Sequence, residues 1–223
     1  MTQVIDTFIA PHCKEAVTIL YQDEYLLVVN KPSGLLSLSG KNPLNKDSVH
    51  YRLVQDFPSA LMAHRLDFGT SGVLLLALDK TTNANLTKQF QLRSVQKRYI
   101  SLLMGHIADA EGMISVPIAR DPPNFPRQKI CWEAGKEAIS RYRVIRYLDN
   151  PSCSRVEFSP ETGRTHQLRI HSLAVGHPIL GCDLYGNSQS EGLAKRLMLH
   201  AHWIKFSHPH TGTSMQIEAP CPF

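Results

Sequence analysis

The stretch MAHRLDFGTSGVLLLALDK, residues 62–80, decides the fold. Its second half, Val73 to Leu78, is a nearly unbroken apolar run, which reads as a strand covered on both faces and central in a sheet. Asp79 then stands where a helix N-cap is needed, and Leu86 and Phe90 at i, i+4 spacing give that helix a buried side through about Arg93. The first half is a turn that crowds His64, Arg65, Asp67, Thr70 and Ser71 into eight positions. An imidazole, a guanidinium, a carboxylate and two hydroxyls are more than a turn requires.

Outward from this stretch the elements are short and mostly extended. Residues 17–30 read as two strands around Gln22-Asp23-Glu24, and Lys31-Pro32-Ser33-Gly34 ends the second with turn chemistry. Ser48 to Gln55 suits a short helix ended by Phe57-Pro58, and Lys97 to His106 returns as a strand. Arg120 to Lys129, RDPPNFPRQK, is expected to be a loop with three cations and no helical pattern. Ala138 to Tyr147 alternates, setting Tyr142 and Val144 on one face and Arg141 and Arg143 on a basic one. Arg155 to Phe158 pairs back, GRTHQLRIHSLAVGH opens a helix from about Thr165 to Gly176, and Met198–Phe206 with Thr213–Glu218 form a last hairpin. Hairpins interleaved with few helices make an α+β fold with a mixed, mostly antiparallel sheet.

At 223 residues the chain suits one domain, with two lobes the alternative. It is 43% hydrophobic with no run of the ~18 apolar residues that span a membrane, so no membrane partner is expected. The first residues lack an export signal, which makes the cytoplasm the expected location. The five cysteines, Cys13, Cys131, Cys153, Cys182 and Cys221, are scattered and odd in number, and are read as reduced thiols. The formal charge of +5 is compatible with a polyanion.

Asp67 invites two readings. A carboxylate beside Gly-Thr-Ser often only bonds the backbone, but the rigid strand behind this one and the histidine and arginine beside it suit a reactive site. An aspartate serves as a nucleophile when it stays ionised in a semi-enclosed pocket, which requires a cation nearby. Helical spacing from Thr165 sets Thr165, His166, Arg169 and Ser172 on one side, so a rigid element presents Arg169. Cations cluster with aromatic rings at Lys97, Arg98 and Tyr99, at Phe125, Arg127 and Lys129, and at Arg141, Tyr142, Arg143 and Arg146. Three such clusters favour nucleic acid over a merely solvated face. No H-E-x-x-H, His/Cys zinc set, P-loop or G-x-G-x-x-G occurs, so neither a metal nor a nucleotide cofactor is expected.

The segments HRLDFGTSG (64–72), KRY (97–99), GRTHQLRIH (163–171), GHPILG (176–181) and LMLHAHWIKFSHP (197–209) resemble, in order and spacing, the motif series of RluA-type pseudouridine synthases. The likeness runs from about Ile19 to the C-terminus, and ILYQDEYLLVVNKPSGLLS with DPPNFPRQK is similar to the subgroup acting on 23S ribosomal RNA and the transfer-RNA anticodon stem-loop. The resemblance implies the pseudouridine synthase fold with a central RNA-binding cleft. It implies an isomerase that needs no cofactor and acts on RNA; DNA is not an expected partner, and a monomer is expected. Asp67 matches the catalytic aspartate, Arg169 the arginine paired with it, Tyr99 the aromatic residue under the uracil, and Leu168 a residue packed beside the base. Arg65 matches the arginine that enters the space left by a flipped base, with His64 supporting the loop and Arg127 and Lys129 binding the RNA.

Two departures stand out. Many relatives carry an acid directly after GHPILG, whereas here Gly181-Cys182-Asp183 displaces it by one. Several also begin with an S4-type RNA-binding module. Residues 1–16 are too few for one and are expected to form a loose arm before a catalytic domain at 17–223, which favours a compact stem-loop substrate. A synthase restricted to transfer RNA or to ribosomal RNA, an idle RNA-binding or chaperone protein, and more distantly a glycoside hydrolase remain open alternatives.

Overall fold

The computed structural model describes residues 8–223. They divide into two compact units, the first running to Gln96 and resuming over Ala201–Pro222, the second spanning Lys97–His200 with Phe223. Among the described residues no helix is long and apolar enough to cross a membrane.

The first unit is built around the strand anticipated from Val73–Leu78. β1 (Thr18–Gln22) and β2 (Leu26–Lys31) form an antiparallel hairpin. Its turn is held by Asp23, whose Oδ1 accepts the N–H groups of Tyr25 and Leu26 at 2.8 and 2.7 Å. After α1 (Val49–Leu53), capped by Ser48, and the short β3 (Leu61–Met62) comes β4 (Ser71–Ala77). Every residue of β4 is buried, as expected for a strand with neighbours on both edges and cover on both faces. β2 pairs with it from Leu26↔Ala77 to Lys31↔Gly72, and β3 pairs at Leu61↔Ala77 and Met62↔Leu76. Only glycine fits at position 72, where φ is +114° and a Cβ would meet the Ala201 carbonyl oxygen at 2.2 Å. α2 (Lys80–Gln91) follows, with Asp79 accepting from the Thr82 N–H as the anticipated cap, and Leu86 joins Leu26, Val28, Val73 and Leu75 in the core.

The second unit is an antiparallel ladder. β5 (Gln96–Met104) is followed by β6 (Glu111–Ser115), β7 (Ile118–Arg120), β8 (Gln128–Ile130), β9 (Ile139–Asp149) and β10 (Ser152–Pro160). β10 pairs with β5 and β9, and β9 with β6. α3 (Gln167–Ala174) and the short α4 (Ser188–Gly192) come next, and Val156, Phe158, Leu168, Ile170 and Ile179 lie in the core. β11 (Leu199–Ser207) leads back into the first unit, where β12 (Ser214–Glu218) closes the last hairpin.

Three expectations need correcting. RDPPNFPRQK is not a bare loop: Ile118↔Ile130 and Arg120↔Gln128 pair as a hairpin, and the prolines, which cannot donate to a ladder, sit in its turn. α3 begins at Gln167 instead of Thr165, because His166 is left-handed (φ +58°) and the Gln167 amide ties the preceding turn. Its Oε1 accepts from Thr162 Oγ1 and Arg164 N–H, and its Nε2 donates to the Ile139 carbonyl and Ser140 Oγ. His166 therefore leaves the proposed polar stripe, and Gln167 through Ser172 are all buried. Of the arm, residues 1–7 lie outside the described residues, while residues 8–16 are tied down, not loose. Asn45 exchanges hydrogen bonds with Ala10 N–H and the Phe8 carbonyl, and Arg52 donates to the carbonyls of Cys13 and Glu15.

His171 of α3 is fully buried, and neither ring nitrogen has a hydrogen-bond partner among the described residues. Burial lowers its pKa from 6.5 to about 4, with the Val116 backbone pulling weakly the other way. The unfolded chain takes up this proton near 6.5 and the folded chain only near 4, so the stabilisation is complete above 6.5 and is lost as pH falls towards 4. The difference is about 3 kcal/mol. Urea denaturation at pH 7.5 and pH 5 is expected to show the wild type weakening on acidification and His171→Leu weakening distinctly less.

Candidate active site

The turn ahead of β4 is sewn to the segment that follows β2. Lys31 has no exposed surface, and its ammonium donates to the carbonyls of Pro32 at 2.9 Å, Phe68 at 3.1 Å and Thr70 at 2.7 Å. Ser33 Oγ donates to the Gly69 carbonyl at 2.7 Å, and Gly34 N–H to the Phe68 carbonyl at 3.0 Å. Ser37 Oγ donates to the Leu66 carbonyl at 2.7 Å, and the Leu66 N–H points back at that hydroxyl from 3.1 Å. Leu66 is buried, and Thr70 N–H closes the turn onto the Asp67 carbonyl at 3.1 Å. From Leu66 to Thr70 every backbone carbonyl is therefore engaged. The Asp67 side chain is not: it is half-buried, and its carboxylate has no hydrogen bond or ion pair among the described residues.

The flanking residues divide as their chemistry suggests. His64 Nε2 accepts the Leu75 N–H at 3.0 Å and its ring lies 4.6 Å from that of Phe90, so the imidazole anchors the loop to β4 and α2. Accepting at Nε2 requires that nitrogen to be unprotonated. Arg65 is exposed and without a partner among the described residues. One loop thus brings His64, Arg65 and Asp67 together.

The remaining sequence-selected residues belong to the second unit. Arg169, on α3, is 4% exposed, with Nε and Nη2 both donating to Cys182 Sγ at 3.3 Å and Nη2 paired with Asp183. Its guanidinium also lies over the Tyr185 ring, 5.2 Å from the centroid. The acid displaced by one position thus takes up a pairing role beside a thiol. Leu168 is buried in the core one residue earlier, and Tyr99 stands on β5 opposite Phe158, partly buried against the same core. Arg127 and Lys129 are exposed on the β7–β8 hairpin, with Lys129 Nζ 3.8 Å from Asp121.

The basic face of β9 is less available than its sequence suggests. Arg141 pairs with Glu161 at 2.8 Å and Arg143 with Glu157 at 3.3 Å, so both cations already have partners. The sequence reading also missed Lys31, Ser33 and Ser37, taking KPSG only as a turn signal. A lysine ending an otherwise buried strand was the available sign that its charge serves the backbone. Among the described residues no group of three or more His, Cys, Asp or Glu is arranged to hold a metal.

Comparison with known proteins identifies the family. The family model for RNA pseudouridylate synthases matches residues 25–174. The chain is 49% identical over 205 residues to the dual-specificity RNA pseudouridine synthase RluA of Yersinia pestis, covering 92% of this chain and 99% of that one. It is 46% identical over 207 residues to the protein of the same name from Escherichia coli strain K12, covering 93% and 94%. Human RNA pseudouridylate synthase domain containing 1 superposes with a TM-score of 0.82 at 32% identity, covering 96% of this chain and 86% of that one. The chain belongs to the RNA pseudouridylate synthase family.

Replacing Lys31 by Met removes its donors from the carbonyls of Pro32, Phe68 and Thr70, of which Phe68 keeps the Gly34 N–H, and is expected to cost about 3 kcal/mol. Chemical denaturation measures the loss. Turnover at a temperature where the variant remains folded is expected to fall at least about tenfold, because the loop carrying Asp67 loses its anchor.

Proposed function

We propose that this chain is a dual-specificity RNA pseudouridine synthase that converts uridines in stem-loops of 23S ribosomal RNA and of the transfer-RNA anticodon arm, working as a cytoplasmic monomer. Asp67 is the nucleophile that attacks the target uridine. The N1–C1′ bond breaks, the base rotates, and a C5–C1′ bond forms as the bond from Asp67 to the nucleotide breaks and the carboxylate is released. C5 loses a proton and N1 gains one, so the reaction consumes no electrons and needs no redox cofactor.

The observation that carries this reading is the unspent carboxylate of Asp67 on a loop whose backbone carbonyls, from Leu66 to Thr70, are all engaged. A nucleophile must be fixed in position yet have free lone pairs, and this loop offers both. In the same reading Arg169 supplies the positive charge that keeps Asp67 ionised; its burial against Cys182, Asp183 and Tyr185 fits a guanidinium preorganised for that task. Tyr99 stacks on the uracil and Leu168 packs beside it. A base in a helix must be everted to be reached, at a cost of about a few kcal/mol, and the exposed Arg65 is suited to fill the gap it leaves. His64 holds the loop, and Arg127 and Lys129 meet phosphates from the hairpin.

Because every turnover expels the C5 hydrogen, tritium release from C5-labelled uridine in ribosomal and transfer RNA transcripts reports the reaction directly. The unmutated protein is expected to release tritium from both. Asp67→Asn is expected to cut release by more than about a hundredfold while RNA affinity stays within a few-fold. An Asp67→Asn protein that still turns over, or a wild type inert on every RNA tested, would overturn the assignment.

A further inference from the structure

We infer that Lys97 anchors the RNA phosphate adjoining the uridine stacked on Tyr99, a binding role that rests on the synthase reading above. Lys97 and Tyr99 are two residues apart on β5 and so share a face, separated along the strand by about 6.5 Å. Lys97 is partly buried, and burial alone pushes its pKa below the usual lysine value. Among the described residues its ammonium has no hydrogen bond and no ion pair.

The surroundings explain why the charge is unanswered. The nearby turn at 161–164 contains one acid, Glu161, and its carboxylate is taken by Arg141 at 2.8 Å. The turn cannot easily rearrange to offer another group. Thr162 Oγ1 donates to Gln167 Oε1 at 2.7 Å, Arg164 N–H donates to the same oxygen at 2.9 Å, and Arg164 Nε donates to the Glu137 carbonyl at 2.9 Å. Gly163 keeps the approach open, since a Cβ there would lie 4.0 Å from the Lys97 ammonium. An ammonium withdrawn from water without an anion costs free energy, which a site retains when a ligand brings the anion. RNA supplies one at every nucleotide, and phosphate contacts fix register.

Two other roles for this lysine predict different behaviour. A neutral amine could remove the C5 proton, a role that arginine cannot take over. A purely structural lysine would lose stability on truncation without altering substrate use. The test compares Lys97→Met and Lys97→Arg on an RNA stem-loop, together with substrates carrying a single uncharged methylphosphonate on either side of the modified uridine. Expected for Lys97→Met is a KM raised at least about tenfold, kcat within a few-fold, and an unfolding temperature equal to or above wild type. Lys97→Arg should recover most of the KM loss. One methylphosphonate should impose the same penalty on the wild type and none on Lys97→Met. An unchanged KM in Lys97→Met, an arginine variant as poor as the methionine one, or additive losses from variant and methylphosphonate would each refute the anchor. A wild type that makes no pseudouridine would instead remove the underlying synthase reading, and the anchor with it.

Discussion

A buried ammonium surrounded by backbone carbonyls is the constraint from which the site follows. Lys31 is withdrawn from water, and its ammonium donates to the carbonyl oxygens of Pro32, Phe68 and Thr70. These three bonds offset part of the cost of burying the lysine and tie down the loop that carries Asp67, whose carboxylate makes no hydrogen bond or ion pair among the described residues. Ser33 and Ser37 extend the same logic, their hydroxyls bonding main-chain groups of the loop while the Asp67 carboxylate stays unengaged among the described residues. A loop fixed by its backbone can hold a carboxylate still without consuming its lone pairs.

Charge is handled differently in the second unit. Arg169 is buried with a thiol, a ring and a carboxylate around it, while Arg141 and Arg143 are neutralised by glutamates across the strand. Counting cations therefore overstates the surface available to RNA. In the proposed reading, those that matter are the cations left without partners among the described residues, such as exposed Arg65 and partly buried Lys97. In that reading the moderate net charge of +5 suits contact with RNA at selected phosphates.

Much of the fold was legible because its signals are local. The apolar run of β4, the Asp79 cap of α2 and the alternation of β9 each follow from neighbouring residues and emerge within a residue or two of expectation. The start of α3 was not legible, because the Gln167 side chain bonds to Thr162, Ile139 and Ser140, and only the last strand pairing brings those together. The β7–β8 hairpin was hidden for a similar reason: its prolines mark a turn, but the pairing on either side spans the turn and has no local signature. In the candidate site, His64, Arg65 and Asp67 stood out by crowding. Lys31 did not, since its three acceptors are main-chain atoms with no side-chain identity to read.

The locked loop is most directly tested by native-state hydrogen exchange at the amides of Gly34, Leu66 and Thr70, which donate to Phe68, Ser37 and Asp67. If the loop is held as described, these amides should exchange only through large-scale opening, with free energies close to those of the buried β4 amides. Exchange at rates typical of an exposed turn, while β4 stays protected, would contradict the account.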